Sequence, residues 1–248
     1  AAIYSTFLQR AYDQLIHDVA LQNLDVLFAV DRAGFVGADG GTHSGVFDLS
    51  YLRCIPNILI MAPSNEEECK NMLYTGYLHN GPAVVRYPRG SGLGVTVSKN
   101  SQNYEIGISN KIRTGKNIMI LCFGSLLDIC LDVSKELDCS LVDMRFIKPI
   151  DQDIILQSAE KYSLILTVED NTVMGGAGSA VNEIILKKNT NTKVINIGVP
   201  DKFYNHATRE EQLEASDISK ESIISKIKKC LENNDLYDPN QFSTINNK

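Results

Sequence analysis

With 248 residues, 44% of them hydrophobic and 22% charged, the chain is long enough to bury one large core or two of ordinary size. Its formal charge of -6 argues against a nucleic-acid surface, and no apolar run reaches the ~18 residues of a membrane span, so neither nucleic acid nor membrane is expected as a partner. The six cysteines show no C-x-x-C spacing and read as reduced thiols, while anionic small molecules stay open because arginines bind them locally whatever the total charge.

Ser5 and Thr6 suit the cap of a helix whose apolar stripe runs through Leu8, Ala11, Tyr12, Leu15 and Val19. These first residues read as the middle of a domain, so the chain is expected to be part of a larger enzyme. VLFAVD (26–31) is a short buried strand that delivers an acid at its C-terminal edge. ILIMAP (58–63) is a second, leading into Ser64 and Glu67 as a capping box for a helix through Tyr74, and AVVRYPR (83–89) is a third. From Gly90 to Gly115 periodicity gives way to Gly, Ser, Asn and Lys, the mark of a linker or irregular connection. Strands at 117–124, 140–146, 164–170 and 193–199 then alternate with helices at 126–137, 151–161 and 177–188, and an amphipathic helix follows at 216–231. Strands joined by single helices imply βαβ crossovers and a mostly parallel sheet, hence an α/β fold. The expected units are residues 1–95, a linker at 96–115, a second unit at 116–232 and a disordered Asn-rich tail at 233–248.

The chemistry concentrates in the first unit. In GADGGTHSG (37–45) the glycines let backbone approach a ligand, and Asp39, four residues before His43, is placed to fix its tautomer or share its proton. Arg32 and Arg89 each end an apolar strand, where parallel sheets put their ligand crevices, and two guanidinium forks suit a phosphate or carboxylate. The bland alternative is that each merely pairs with a nearby acid such as Asp31. Arg86, three residues from Arg89 in an extended strand, faces the other way and reads as structural. Tyr4 and Phe7 flank the first helix start, where an aromatic is ordinarily a staple against the core. VEDNTVMGGAGSAVNE (168–183) places glycines between strand and helix. With Val181 where a dinucleotide-binding pattern needs its third glycine, this is tight strand-to-helix packing, with Glu169 the residue to test.

YSTFLQRAYDQ (4–14), DRAGFVGADGGTHSGVFDLSYLRCIPN (31–57), VRYPRG (85–90), LVDMRFIKPID (141–151) and the 168–183 segment together resemble the 1-deoxy-D-xylulose-5-phosphate synthase family, thiamine-diphosphate enzymes of the transketolase superfamily. The resemblance runs to Asp201 and thins at NHATREEQ (205–212), so no role is carried to His206. It implies an incomplete pyrimidine-binding-type parallel sheet domain followed by a transketolase C-terminal-type βαβ domain. The reaction implied is decarboxylation of pyruvate and condensation with D-glyceraldehyde 3-phosphate, the first step of non-mevalonate isoprenoid precursor synthesis. Carried over residue by residue, Phe7 lies against the aminopyrimidine ring and Arg10 near the pyruvate-derived group. Tyr4, Arg32 and Arg89 hold the aldehyde phosphate, and Asp39 and His43 line the reaction pocket.

Thiamine diphosphate and Mg²⁺ are the implied cofactors, with no metal ligand in this chain; the implied partners are the N-terminal portion of the same enzyme and a second copy in a homodimer. The Asn-, Lys- and Ile-rich texture of 99–118 and 187–195 resembles protists with AT-rich genomes, which implies a plastid-type, apicoplast-like organelle, with cytoplasm the alternative. Two other readings stand beside this one: the β subunit of a 2-oxo-acid dehydrogenase, which needs no phosphate clamp at Arg32 and Arg89, and a non-catalytic assembly piece.

Overall fold

The computed structural model of the protein describes residues 1–188 and 192–232; the tail expected at 233–248 lies outside them. The apolar runs become strands for the expected reason: they are buried on both faces, as parallel strands under helices must be. In the first unit β1 (Ala2–Tyr4) pairs parallel with β2 (Leu27–Ala33). Between them the chain is helical from Ser5 to Ala20 but not as one α-helix. Ser5–Leu8 (α1), a 3₁₀ turn at Gln9–Ala11, Tyr12–Gln14 (α2) and a π turn at Leu15–Ala20 follow one another, with Leu8 and Leu15 buried as the stripe requires.

A short helix, α3 (Asp48–Leu52), precedes β3 (Leu59–Met61), α4 (Glu66–Leu78) and β4 (Ala83–Pro88). The cap of α4 is Asn65, whose side chain accepts from the Glu68 amide at 3.0 Å, rather than Ser64. Ser64 is unavailable because its hydroxyl donates to Asp143 of the second unit at 2.7 Å.

The connection after β4 contains a strand that its composition hides, β5 (Asn110–Arg113), antiparallel to the strand at Ser140–Asp143. There follow β6 (Ile118–Phe123), α5 (Leu127–Glu136), β7 (Ser140–Asp143), β8 (Phe146–Lys148), α6 (Gln152–Lys161), β9 (Leu164–Thr172), α7 (Ala177–Lys188), β10 (Lys193–Val199), α8 (Arg209–Ala215) and α9 (Lys220–Glu232). The strand expected over 140–146 is two strands. β7 stays in the second sheet, while β8 crosses to the first and pairs antiparallel with β3. The sheets read β1-β2-β4-β3-β8 and β10-β9-β6-β7-β5, so each is mostly parallel with an antiparallel edge.

The core ignores the division into units. One buried apolar cluster runs from Leu8, Val30 and Leu49 of the first to Leu121, Phe123 and Val181 of the second. Burying each such side chain contributes roughly 1.5–3 kcal/mol, so the two sheets are held together by the same force that holds each one. No described helix is long and apolar enough to cross a membrane, and the six cysteines are free thiols.

Candidate active site

β2 ends irregularly. Its register with β4 shifts between Val30 and Ala33, and Arg32 sits in the left-handed region at φ 60°. A non-glycine residue held there is strained, and such outliers gather where a side chain must be aimed at a ligand. The Asp31 carboxylate accepts the Arg32 amide at 2.6 Å, fixing this turn. The guanidinium stacks over the Tyr4 ring, 4.1 Å from its centroid, and its Nη1 pairs with Asp39. The same Asp39 oxygen pairs with Arg89 from the end of β4, 3.2 Å from its Nε. One carboxylate thus lies between two guanidiniums, and the three side chains sum to +1. Arg32 Nε is buried with no hydrogen-bond partner among the described residues, a donor prepared for an acceptor that the chain itself does not supply.

Tyr4 and Phe7 stack with centroids 5.2 Å apart and an interplanar angle of 13°, and His43 meets Phe7 edge-on at 5.6 Å. Phe7 is 43% exposed, so the aromatic pair is a surface platform and not a staple buried in the core. His43 Nδ1 is 3.0 Å from the Thr42 hydroxyl, and the Thr42 carbonyl accepts Thr6 Oγ1 at 3.0 Å, tying the histidine turn to the aromatic one.

The expected Asp39–His43 pair does not form. Two consecutive 3₁₀ turns, Gly37–Asp39 and Gly41–His43, are separated by Gly40 at φ 69°. That break turns Asp39 toward the arginines and His43 toward Phe7. Six expected residues come together: Tyr4, Phe7, Arg32, Asp39, His43 and Arg89. Arg10 does not join them; it is exposed on the 3₁₀ turn after α1, and among the described residues no ion pair or hydrogen bond links it to the cluster.

The loop bearing Asp39 and His43 is clamped by the second unit. Gln212 of α8 accepts the Gly37 amide at 2.8 Å and donates to the Gly37 carbonyl at 3.3 Å. Gly40 sits against His206, whose ring a Cβ would meet at 2.4 Å, and its φ of 69° disfavours any residue with a side chain. α8 is placed by a complete capping box from Thr208 to Glu211. Below the site lies a fully buried ionic cluster, in which Arg86 reaches Asp48 at 3.0 Å and also pairs with Asp170 of β9. Burial pushes the Asp48 carboxyl up despite Arg86. At Asp170 burial is outweighed by Arg86, Arg209 and the Ser125 hydroxyl, which hold it below the ordinary range.

Glu169, next along β9, accepts the amides of Ala177 and Gly178 at 2.8 Å each, closing the start of α7. The glycine turn is therefore the strand-to-helix packing expected of it, with Gly176 too close to Glu169 for a Cβ. Burial, only partly offset by those two amides, pushes the Glu169 carboxyl up to about 8.

A cleft of about 920 Å³ opens beside Arg89, lined by Pro63, Ser64, Ser125 and Arg209 among others. It lies off the carboxyl ends of β3, β4 and β6, the crevice position of parallel sheets. Among the described residues no group of three or more His, Cys, Asp or Glu side chains is arranged to hold a metal ion.

Comparison with known proteins gives a consistent result. The transketolase pyrimidine-binding domain matches residues 1–93, and the transketolase C-terminal domain matches residues 107–223. The 1-deoxy-D-xylulose-5-phosphate synthase of Yersinia pseudotuberculosis serotype IB is 57% identical over 210 residues, which is 85% of this chain and 34% of that protein. Its counterpart in Methylobacillus flagellatus is 55% identical over 230 residues, 93% of this chain and 38% of that protein. The chain therefore spans little more than a third of the length of these relatives. A split-gene transketolase, described as an inactive beta4 tetramer, superposes with a TM-score of 0.80 at 24% identity, covering 94% of this chain and 76% of that one. The transketolase of Campylobacter jejuni gives 0.67 at 17% identity, over 92% of this chain and 35% of that one. At such identities the two structures speak for the fold alone.

Proposed function

This chain belongs to the transketolase family, and from that premise we propose that it is the C-terminal part of an enzyme that condenses pyruvate with D-glyceraldehyde 3-phosphate, releasing CO₂, to give 1-deoxy-D-xylulose 5-phosphate. The observation that carries the proposal is the Arg32–Asp39–Arg89 cluster over Tyr4. Two guanidiniums with a surplus positive charge, one of them holding a buried donor in reserve, match a phosphate dianion through bidentate charge-assisted bonds. A 2-oxo-acid dehydrogenase, whose acceptor carries no phosphate, has no need of that pair. Asp39, held between the arginines, and His43, on the other side of the aromatic pair, line the pocket where the reacting carbons meet.

Thiamine diphosphate fits what the chain presents. The exposed Phe7 ring backed by Tyr4 offers one flat apolar face to an aminopyrimidine. When bound, the cofactor supplies the electron sink that lets pyruvate lose CO₂ and react as an acyl carbanion equivalent. In the same proposal Arg10 approaches the pyruvate-derived carbons. Mg²⁺ and the diphosphate are held by the N-terminal portion that the relatives' length implies, the assembly is a homodimer, and the compartment is plastid-type.

The test is to combine the chain with that N-terminal portion, thiamine diphosphate and Mg²⁺, and to follow CO₂ release together with the mass of the product. One CO₂ per 1-deoxy-D-xylulose 5-phosphate, with neither made by the chain alone, is the expected outcome. Acetyl transfer to a lipoyl acceptor, or CO₂ release indifferent to the aldehyde, would overturn the reading.

A further inference from the structure

The two walls of the candidate site, the aromatic pair at 4–7 and the loop at 32–45, come from separate stretches of the first unit, yet both rest on one carboxylate of the second. We infer that Asp170 of β9 is a positioning residue for this site. Its Oδ1 accepts Arg86 Nη1, and its Oδ2 accepts the Ser125 hydroxyl at 2.9 Å. Arg86 passes the restraint on, donating from Nε to Asp48 Oδ2 at 3.2 Å, and that same oxygen accepts Ser5 Oγ at 3.0 Å. Ser5 stands between Tyr4 and the turn that carries Phe7. Arg86, Asp48 and Asp170 are 2%, 0% and 0% exposed, so water offers none of these groups an alternative partner and the chain of contacts has one arrangement.

The second wall packs directly against the same carboxylate. Gly34 lies on Asp170 so closely that a Cβ there would be 2.7 Å from Oδ2. Gly34 and Gly45 exchange both backbone hydrogen bonds at 2.9 Å, pinning together the two ends of the loop that carries Asp39 and His43. At Gly45 a Cβ would meet the Arg32 carbonyl at 2.1 Å and Ser5 at 2.8 Å, so both walls touch at this point, across the bridge from Gly34. Displacing Asp170 therefore moves Tyr4, Phe7, Arg32 and His43 together, although it touches none of them.

The catalytic part of this inference rests on the proposed function, but the positional part does not, and the experiment separates the two. Hydrogen exchange of residues 4–10 and 34–46 is measured in the full-length protein and in Asp170→Asn. The control is Asp143→Asn, another buried carboxylate that bridges the units through Ser64 at 2.7 Å. Asp170→Asn should speed exchange in both segments by tenfold or more, which an ordinary loss of stability would not confine to them. Asp143→Asn should leave those segments as they were. Should Asp170→Asn not fold, Ser125→Ala, which loosens the same carboxylate more gently, should speed the same segments by roughly threefold. Unchanged exchange there in a folded Asp170 or Ser125 variant, or an equal rise in Asp143→Asn, overturns the inference. In the active enzyme Asp170→Asn should lower kcat at least tenfold and raise KM for the aldehyde. If exchange responds and no variant, wild type included, makes product, the proposed function fails and the positioning stands.

Discussion

Two clusters of arginine and aspartate lie a few residues apart in this molecule with inverse composition. At the candidate site one carboxylate, Asp39, serves two guanidiniums, with side chains 22% (Arg32), 24% (Asp39) and 44% (Arg89) exposed. Beneath it one guanidinium, Arg86, serves two carboxylates, with 1% or less of each side chain exposed. Burial decides what each can do. In the interior a charge without a partner is costly, so each charge of the lower cluster is paired with protein groups, Arg86 Nη2 lying 3.0 Å from Asp48 although it makes no hydrogen bond. Near the surface the same chemistry tolerates a surplus cation, which under the proposed function the upper cluster offers to the substrate phosphate. On that proposal the lower cluster holds the scaffold fixed and the upper one recognises.

The largest effect should come from opening the closed cluster. Arg86→Ala strips Asp48 of its counter-ion and leaves Asp170 only Arg209 and the Ser125 hydroxyl, and should cost about 3–5 kcal/mol in urea denaturation. A loss below about 1 kcal/mol would mean that the cluster is neither closed nor buried as described.

The next concerns Glu169, buried beside Asp170 with its carboxyl raised to about 8 from an ordinary 4.5. Between those values the folded state binds the extra proton, so the group's contribution to stability falls as pH rises through that window. Glu169→Gln cannot titrate. The stability difference between variant and wild type should therefore move in the variant's favour by on the order of 2–4 kcal/mol from pH 5 to pH 8. A difference that stays constant across the range would place the charge in water.

In the open cluster effects should be smaller and kinetic. His43→Ala should lower kcat roughly tenfold, about 1.4 kcal/mol, with smaller changes in either KM, because the proposed function puts His43 beside the reacting carbons, where a group matters most once both substrates are bound. Unchanged turnover would make His43 a turn residue. Smallest of all, Arg53 and Glu183 join the units at 2.6 Å but with Glu183 60% exposed, so Arg53→Ala should cost less than about 1 kcal/mol, diminishing further with salt. A larger, salt-insensitive loss would show that exposure does not decide the worth of these pairs.

How much of this was legible depended on whether the signal was local. β2, β4, β6 and β9 were readable because continuous apolar runs between turn residues leave few alternatives. Arg32 and Arg89 were readable because they end such strands. The Ser64 cap failed because Ser64 is spent on Asp143, 79 residues away, and local spacing carries no trace of that. Asp39 and His43 were paired by a four-residue spacing that means proximity only in a helix, and Gly40 breaks the turn between them. α8 has a legible sign in T-R-E-E, where Thr208 and Glu211 stand at capping-box spacing, but its Gln212 clamp on Gly37, 175 residues away, leaves no local trace. Asp48, Arg86 and Asp170 are beyond reach together: 38 and 84 residues separate Arg86 from its partners, and only the apolar neighbours of Asp48 and Arg86 hint that these two must be paired.

The most direct test of recognition by the upper cluster is Arg89→Ala in the full-length enzyme, with KM measured separately for D-glyceraldehyde 3-phosphate and for pyruvate. Loss of one charge-assisted contact, about 1.5–3 kcal/mol, should raise KM for the phosphorylated aldehyde roughly 10- to 100-fold and leave that for pyruvate nearly unchanged. An equal rise for pyruvate would contradict a phosphate site at Arg32, Asp39 and Arg89.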